Sequence, residues 1–496
     1  MQIEVIAKPA EPADVTVVFA AEGKKLLGLG AAYGKALQKA LSAPSFSAKR
    51  GEIIDVLGAA DARRIVVVGV GNPRELSAMR ARKIGGKIAA HLLQVREPKA
   101  QILGGGSFGK LEEAVFLGNV ALGARLRSYR FGKYMSEAKA GQEPAAIASL
   151  SLVTPQRAAA QKIVADAEAL AAGICFARDQ VNEPPSTLWP DSFAKRLQEL
   201  KKHGVAVEIL DEAALRKMGA GGILAVAQGS QHPPRLVVLR WNGRAGSKGG
   251  KSKEGPVALV GKGVCFDSGG LSLKRTSQML TMKGDMGGAA AVAGAILTAA
   301  LRKARVDVVG VMALVENMPS GSSYRPGDIV KTLAGKTLEI VDTDAEGRVT
   351  LVDSLYYAAS KFNPSCILDA ATLTYSVSAA LGPVYAGLFA TNEALAREVL
   401  AAGAAAGEEL WRLPVNTDYV KNLKSKVADY RQCAPDDFSA DAAHAAALLS
   451  EFVADKPWAH LDIANKEFAT KDTPICPEGA TGYGVALFDA FLRQRE

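Results

Sequence analysis

The sequence predicts an α/β fold, with a smaller N-terminal α/β domain followed by a larger α/β domain built on a central mixed, mostly parallel sheet. Short β-branched runs alternate with helical patterns along most of the 496 residues. An alanine-rich helical stretch that ends at Pro184 and Pro185 interrupts this alternation. Residues 1–160 hold 23 basic and 13 acidic side chains, whereas the other 336 hold 37 and 38. We therefore expect domains over 1–165 and 196–496, joined by a connector over 166–195.

Length and composition limit the class of protein further. With 48% hydrophobic residues the chain can bury large cores, which excludes disordered and fibrous proteins. Five scattered cysteines fit a reducing cytoplasm better than a disulfide framework, and Cys265 is expected to be a packing thiol. The first residues lack a secretory pattern, and the most apolar stretch, Gly287 to Leu301, is short of the roughly 20 residues that span a bilayer. We expect a cytoplasmic protein with no membrane partner.

The N-terminal elements follow from local pattern. We predict strands at residues 14–20, 64–70 and 145–153, and helices at 74–93, 112–129 and 156–180. The Gly69 to Pro73 turn resembles a dinucleotide loop but lacks its third glycine, so a plain strand-to-helix turn is favoured.

The larger domain shows a second alternation of strands and helices, which indicates a mostly parallel sheet. Its predicted strands are Val205 to Leu210, Arg235 to Trp241, Val257 to Val264, Val306 to Val315, Lys336 to Val341 and Cys366 to Ala371. The Gly-, Lys- and Ser-rich segment from Gly243 to Gly255 is expected to be an exposed loop.

Charged residues cluster in three motifs of the larger domain. Lys262 and Asp267 follow an apolar strand, where the edge of a parallel sheet presents side chains to a ligand. Asp285 directly precedes a helix of small residues and, taken alone, is an ordinary helix cap. Asp344 and Glu346 alternate with Arg348 after another strand, and an extended chain there would direct all three to one side.

Carboxylates that converge in this way require a compensating cation, because repulsion and burial raise their pKa values. A pair of divalent ions is the simplest solution, since one carboxylate can bridge two ions about 3.5–4 Å apart and activate a water. Oxygen ligands suit Mg, Mn or Zn. None of the five histidines lies near these motifs, so a zinc site made of histidines is not expected.

These motifs resemble the leucyl aminopeptidase, or cytosol aminopeptidase, family of two-metal exopeptidases. The matching pieces are VGKGVCFDSGG, MKGDMGGAAAV, SYRPGD and DTDAEGR, supported by NEPP, ATLT, WRLP and WAHLDIA. Their order and rough spacing match over nearly the whole catalytic half. The N-terminal part agrees with the family only in size and pattern.

The resemblance implies a metal-ligand set. Lys262, Asp267, Asp285 and Glu346 would bind one ion, and Asp267, Asp344 and Glu346 the other, so that Asp267 and Glu346 bridge the two. The ions are expected to be Mn or Zn, with Mg as a third option. Because a lysine ligand must be neutral and its normal pKa is about 10.4, the adjacent dication has to displace its proton.

The resemblance also implies roles around the metals. Lys274 would stay charged and polarise the scissile carbonyl or stabilise the oxyanion. Arg348 would hold a bicarbonate ion, the general base for the metal-bridging water. Met282 would line the pocket for the substrate side chain, Leu being preferred, and Thr372 and Leu373 would offer backbone contacts. The substrate's free α-amine would bind one metal, which explains removal of a single N-terminal residue.

Some positions depart from the family pattern and put substrate range and metal preference in question. Asp342 adds a carboxylate near the metals, Arg275 follows Lys274 in place of proline, and Gly284 replaces a bulkier residue. Tyr375 stands where glycine is usual and is expected to crowd the channel. The segment from Cys433 to Ala447 lacks the usual glycines.

Peptides are the expected substrates and a homohexamer the expected assembly, both from the resemblance. Two alternatives stay open. The basic N-terminal domain could bind nucleic acid through phosphate neutralisation, although a merely solvated basic face is favoured because no helix-turn-helix or aromatic-interleaved motif accompanies the charge. The departures could instead mark a catalytically weakened relative.

Overall fold

The computed structural model describes residues 1–10, 13–60, 62–136, 139, 146–244, 255–434 and 440–496. The chain divides into two compact units, Met1–Ala171 with Ala469–Gly479, and Ala172–Phe468 with Ala480–Glu496. Each unit is built on a β-sheet with helices packed against it, which confirms the predicted α/β fold class. Most of the loop expected over residues 243–255 lies outside the described residues.

The N-terminal unit contains a seven-stranded sheet covered by helices. Its strands are β1 (Gln2–Ile6), β2 (Val15–Ala21), β3 (Lys25–Leu26), β4 (Ile53–Ala59), β5 (Ala62–Gly71), β6 (Lys99–Leu103) and β7 (Ser149–Val153). Its helices are α1 (Gly34–Ser42), α2 (Ala78–Gln94) and α3 (Glu113–Arg127), and α4 (Arg157–Asn182) begins here. The strand order is β1-β7-β6-β2-β5-β4, with β3 paired to β2.

The three predicted N-terminal strands correspond to β2, β5 and β7, none of which is the first or last strand of this sheet. Strands β2 and β5 pair in parallel, and their β-branched residues are almost all buried. Strand β4, which the sequence pattern did not indicate, pairs antiparallel at the edge and is largely exposed or half-buried. Its weak apolar signal is typical of an edge strand.

The larger unit contains an eight-stranded sheet of the order β16-β15-β18-β14-β10-β11-β9-β8. The eight strands are β8 (Ala206–Leu210), β9 (Arg235–Asn242), β10 (Val257–Asp267), β11 (Asp307–Asn317), β14 (Cys366–Ala371), β15 (Ala386–Ala390), β16 (Leu410–Arg412) and β18 (Trp458–Asp462). A separate three-stranded sheet contains β12 (Ile329–Lys331), β13 (Thr337–Glu339) and β17 (Tyr430–Arg431), and the two-residue strands β19 (Phe468–Ala469) and β20 (Gly479–Ala480) pair with each other. Strands β14, β10 and β11 run parallel at its centre, whereas β9 and β8 pair antiparallel at one edge. The sheet is therefore mixed, as predicted.

Helices cover this sheet and connect its strands. They are α5 (Pro190–Gln198), α6 (Glu212–Met218), α7 (Gly221–Ala227), α8 (Thr276–Met279), α9 (Gly287–Leu301), α10 (Glu346–Phe362), α11 (Tyr375–Leu381), α12 (Glu393–Ala406), α13 (Thr417–Asn422), α14 (Asp441–Ser450) and α15 (Val485–Arg493).

The strand predicted over Lys336 to Val341 is present in part, but its expected place in the main sheet is wrong. Within Lys336 to Val341 only β13 is extended, and it belongs to a separate three-stranded sheet with β12 and β17. Leu338 is buried, but its neighbours Thr337 and Glu339 are half-buried. That alternation is typical of a sheet with one solvated face and not of a central parallel strand, which is buried on both faces.

Helix α9 packs unusually close to the sheet because glycines line the contact. A Cβ atom on Gly288 would lie 2.0 Å from the backbone oxygen of Ala370, and one on Gly261 would lie 2.6 Å from the Cα of Ala289. The close packing fixes β10, and with it Lys262, against the start of α9.

Among the described residues, one stretch, Thr276–Leu301, is long and apolar enough to cross a membrane. Its most apolar part is 94% buried within the protein.

Candidate metal centre

Four carboxylates meet at the C-terminal edge of the main sheet. Asp267 ends β10, and Asp285 follows a 3-10 turn just before α9. Asp344 lies in the turn that precedes α10, and Glu346 is the first residue of that helix. Oxygen atoms of Asp267, Asp344 and Glu346 lie within 4.8 Å of one another. The parallel sheet therefore brings together acids from three separate motifs.

The prediction that an extended chain aligns Asp344, Glu346 and Arg348 is wrong. Asp344 lies in a turn, whereas Glu346 and Arg348 belong to the first turn of α10. The residues still face one region because the turn and the helix start directly at the sheet edge. A carboxylate at a helix N-terminus is also stabilised by the helix dipole.

Asp285 does not act as the helix cap that its position suggests. Met286 precedes α9, and no side chain caps that helix. Asp285 Oδ1 instead accepts hydrogen bonds from Lys262 Nζ at 2.8 Å and from Thr372 Oγ1 at 2.7 Å. The ordinary-cap interpretation is therefore wrong, and Asp285 faces the carboxylate cluster.

Two lysines extend into the cluster, and each contacts two carboxylates. Lys262 Nζ lies 2.8 Å from oxygens of both Asp285 and Glu346. Lys274 Nζ lies 2.8 Å from Asp267 Oδ2 and 2.5 Å from Asp344 Oδ1. Burial alone lowers the pKa of each lysine, but the surrounding carboxylates outweigh burial and raise both pKa values.

The acids outnumber these lysines, which leaves buried negative charge uncompensated. Burial and mutual repulsion raise the pKa of Asp344 to about 7 and also raise the pKa values of Asp285 and Glu346. Asp285 Oδ2 is buried and has no hydrogen-bond partner within the described part of the chain. An excess of carboxylate oxygens with an unused ligand atom fits a divalent cation that accepts oxygen ligands, such as Mg, Mn or Zn.

The cluster opens into a cavity of about 750 Å³. Nine of the ten site residues predicted from the sequence line it, namely Lys262, Asp267, Lys274, Met282, Asp285, Asp344, Arg348, Thr372 and Leu373. Glu346, the tenth, is 1% exposed and contacts the cavity-lining Lys262. The structure thus brings all ten into one region, which is large enough for a small organic ligand.

Arg348 is buried beside this cluster and is already engaged. Its Nη2 lies 2.8 Å from Asp441 Oδ1, and its Nη1 donates to the backbone oxygen of Gln432 at 3.2 Å. Its Nε is buried and unpaired within the described residues. The Nε–H group is therefore without a partner in the described part of the chain, while Asp441 already pairs with the guanidinium as a carboxylate of the chain itself.

The backbone that carries Thr372 and Leu373 is fixed by Asp462 at the end of β18. Asp462 accepts hydrogen bonds from Leu373 N at 3.2 Å and from Thr374 Oγ1 at 2.6 Å. This carboxylate is fully buried. It holds the segment after β14 against the cavity.

Residues outside the predicted site, Asn317 and Tyr324, shape the acidic turn. Asn317 Nδ2 donates to Asp267 Oδ1 at 2.8 Å and to the backbone oxygen of Thr343 at 2.9 Å. The Tyr324 hydroxyl donates to the same backbone oxygen at 2.9 Å. Asn317 ends β11, directly beside Asp267 in the parallel register. Because the ends of parallel strands lie at one edge of a sheet, the sequence could have indicated that Asn317 lies near Asp267.

The departures from the family pattern have structural counterparts. Tyr375 lines the cavity and is 56% exposed, and the Lys274 amine lies 5.7 Å from its ring centre. Asp342 Oδ1 accepts a hydrogen bond from Asp344 N, so it stabilises the acidic turn. Burial raises the pKa of the Cys265 thiol, in accord with a packing role. Residues 435–439 of the segment from Cys433 to Ala447 lie outside the described residues.

Comparisons with known proteins cover almost the whole chain. Residues 175–488 match the catalytic domain of the cytosol aminopeptidase family, and residues 17–138 match its N-terminal domain. A probable cytosol aminopeptidase of Bradyrhizobium sp. strain BTAi1 is 42% identical, the alignment covering 97% of this chain and 95% of the relative. One of Agrobacterium fabrum strain C58 has the same identity and coverages. The bottromycin maturation enzyme BotP in complex with Mn has a TM-score of 0.83 and 34% identity, covering 97% of this chain and 99% of that one.

Proposed function

The chain belongs to the cytosol aminopeptidase family and is thus a peptide-bond hydrolase, and we propose that it removes the N-terminal residue from peptides with two divalent metal ions. The single observation that carries the proposal is the buried cluster of four carboxylates and two lysines at the cavity. Leu is expected among the residues removed, because the flexible thioether of Met282 lines the same cavity.

The carboxylates would hold the metals in the arrangement implied by the family resemblance. Lys262, Asp267, Asp285 and Glu346 would bind one ion, and Asp267, Asp344 and Glu346 the other. When bound, the ions would supply Lewis acidity and activate the water for attack. Mn is the first candidate because a solved relative is a Mn complex, with Zn and Mg as the alternatives.

Lys274 would supply the positive charge for the reacting carbonyl. Its pKa is raised by the neighbouring carboxylates, so its amine stays protonated near neutral pH. A buried ammonium group at the cavity wall stabilises a developing oxyanion far better than the same charge in water. Asp267 and Asp344 fix the position of this amine.

The proposal is tested with paired peptides. Incubation of the Mn-loaded protein with Leu-Gly-Phe should release leucine alone in the first cleavage, whereas N-acetyl-Leu-Gly-Phe should stay intact. The free amine is required if the cavity recognises the chain terminus. Cleavage of the acetylated peptide at an equal rate, or no cleavage of either, would contradict the proposal.

Arg348 would hold the bicarbonate ion through its unpaired Nε–H group. A base held near the metals would accept a proton from the attacking water, which contributes about 10²- to 10⁴-fold in rate. Asp441 occupies another face of the guanidinium and would share it with the anion.

Replacing Arg348 with alanine is expected to lower kcat by about 10²-fold, because it removes the group that positions the base. The matched control is Asp441→Asn, which removes the ion pair but keeps the guanidinium. The Asp441→Asn variant should retain activity. The concentration of added bicarbonate that raises its activity should be lower than for the wild type. Equal losses in the two variants would show that Arg348 acts only through its ion pair with Asp441.

Assembly and location are proposed from the resemblance alone. We expect a homohexamer in the cytoplasm, and multi-angle light scattering should give six times the chain mass of 51.9 kDa. A monomer or dimer that is fully active would remove this part of the proposal.

Nucleic-acid binding by the basic N-terminal segment is the weaker alternative. Arginines of this unit form ion pairs with carboxylates, namely Arg50, Arg63, Arg64, Arg80, Arg125 and Arg127. Arginines engaged in this way are less available to phosphates, which favours a solvated face. This alternative would be supported if the protein binds DNA, if that binding weakens steeply with salt, and if it disappears when residues 1–160 are deleted.

A further inference from the structure

Glu467 is a half-buried acid in the cavity wall that the proposed chemistry does not use. It follows β18 and lines the same cavity as Met282 and Thr372. Its Oε2 atom is buried and has no hydrogen-bond partner among the residues that the structure describes. Nor does any lysine or arginine of that part of the chain form an ion pair with it.

Glycines create the space that Glu467 occupies. A Cβ atom on Gly284 would lie 3.0 Å from Glu467 Cγ, and one on Gly287 would lie 3.6 Å from Glu467 Cβ. The Cβ atom on Gly287 would also lie 3.8 Å from the methyl group of Thr372. The hydroxyl of Thr372 donates a hydrogen bond to Asp285. Glu467 is therefore a near neighbour of the carboxylate cluster, on the side formed by Thr372 and the start of α9.

Two lysines near Glu467 are committed to other partners. Lys466 is buried, but its Nζ donates to the backbone oxygen of Gly382 at 2.6 Å. Lys262 contacts Asp285 and Glu346. Burial raises the pKa of Glu467, and only the backbone N–H groups of its own turn and the more distant Lys262 oppose this. A carboxylate in such a place is costly unless a ligand supplies its partner.

We propose that Glu467 makes the substrate side-chain pocket of this enzyme a site for basic N-terminal residues, arginine or lysine. The methylene stem of such a residue packs against Met282 and the Thr372 methyl group, and its cationic end pairs with Glu467. Leucine and methionine use the same apolar wall without that pairing, so they are accepted but processed less efficiently. This inference rests on the proposed aminopeptidase function.

The test compares arginine with citrulline, which has nearly the same shape but no charge. In the Mn-loaded wild type, kcat/KM for the p-nitroanilide of arginine should exceed that of citrulline by about 10- to 100-fold, the factor that a charged hydrogen bond to a buried group contributes. Glu467→Gln should bring this ratio to about one. Glu393→Gln, which alters a surface acid, should leave the ratio unchanged.

The outcomes separate this inference from the proposed function. No turnover of any substrate by metal-loaded protein defeats the proposed function. Normal leucine turnover with an arginine-to-citrulline ratio near one in the wild type, or with a ratio that survives in Glu467→Gln, overturns only the role of Glu467. If Glu467→Gln does not fold, Glu467→Ala and competition between argininamide and citrullinamide on the wild type decide the point.

Discussion

Replacing Asp267 with alanine is expected to abolish metal binding and to lower kcat/KM for leucine p-nitroanilide by about 10³-fold or more. Asp267 shares the cluster with Asp344 and Glu346. In the proposed ligand set it would serve both ions. Loss of one bridging ligand removes several kcal/mol of transition-state stabilisation, and each 1.36 kcal/mol is a factor of ten in rate. Metal content by mass spectrometry and steady-state kinetics check both parts.

The matched control for this variant is Asp418→Ala, because Asp418 is an exposed acid in the same unit. It should keep wild-type metal content and activity. Circular dichroism should show that Asp267→Ala keeps its fold, since the side chain is replaced by a smaller one at the sheet edge. Full activity of a folded Asp267→Ala protein would overturn the assignment of the metal ligands.

Lys274→Met should lower kcat by about 10²- to 10³-fold while bound metal stays near the wild-type amount. The expected size is that of losing one preorganised charge at a developing oxyanion. Methionine keeps much of the side-chain volume but removes the ammonium group that lies between Asp267 and Asp344. KM should change less than kcat, because the charge acts mainly in the transition state.

Metal content and kcat together distinguish a catalytic role of Lys274 from a role in balancing the charge of the carboxylates. Lys421→Met changes an exposed lysine and should have no effect on either quantity. If Lys274→Met lost its metal together with its activity, the lysine would act by organising the carboxylates. An unchanged kcat would remove Lys274 from the mechanism altogether.

The sequence predicted the two α/β parts, and its resemblance to the cytosol aminopeptidase family implied the residues that meet at the cavity. Strands such as Val257–Asp267 and Cys366–Ala371 were recognisable in their apolar parts, because a central parallel strand is buried on both faces and therefore rich in apolar residues. Parallel strands end at one edge, so acids that follow them could be expected to converge.

Local pattern could not predict the shape of the acidic turn. Its geometry depends on hydrogen bonds from Asn317 and Tyr324 to the backbone oxygen of Thr343, which come from distant parts of the chain. The Arg348–Asp441 ion pair is likewise a tertiary contact. The sequence did not indicate a role for Glu467 either. Its lack of a hydrogen-bond or ion-pair partner becomes visible only when the positions of the surrounding side chains are known.

The measurement that tests the central claim most directly is the activity of one protein sample before chelation, after chelation and after readdition of Mn. The buried carboxylates that outnumber their lysines predict loss of leucine p-nitroanilide turnover with the metal and recovery with Mn. Full turnover by protein that mass spectrometry finds free of metal would contradict the account.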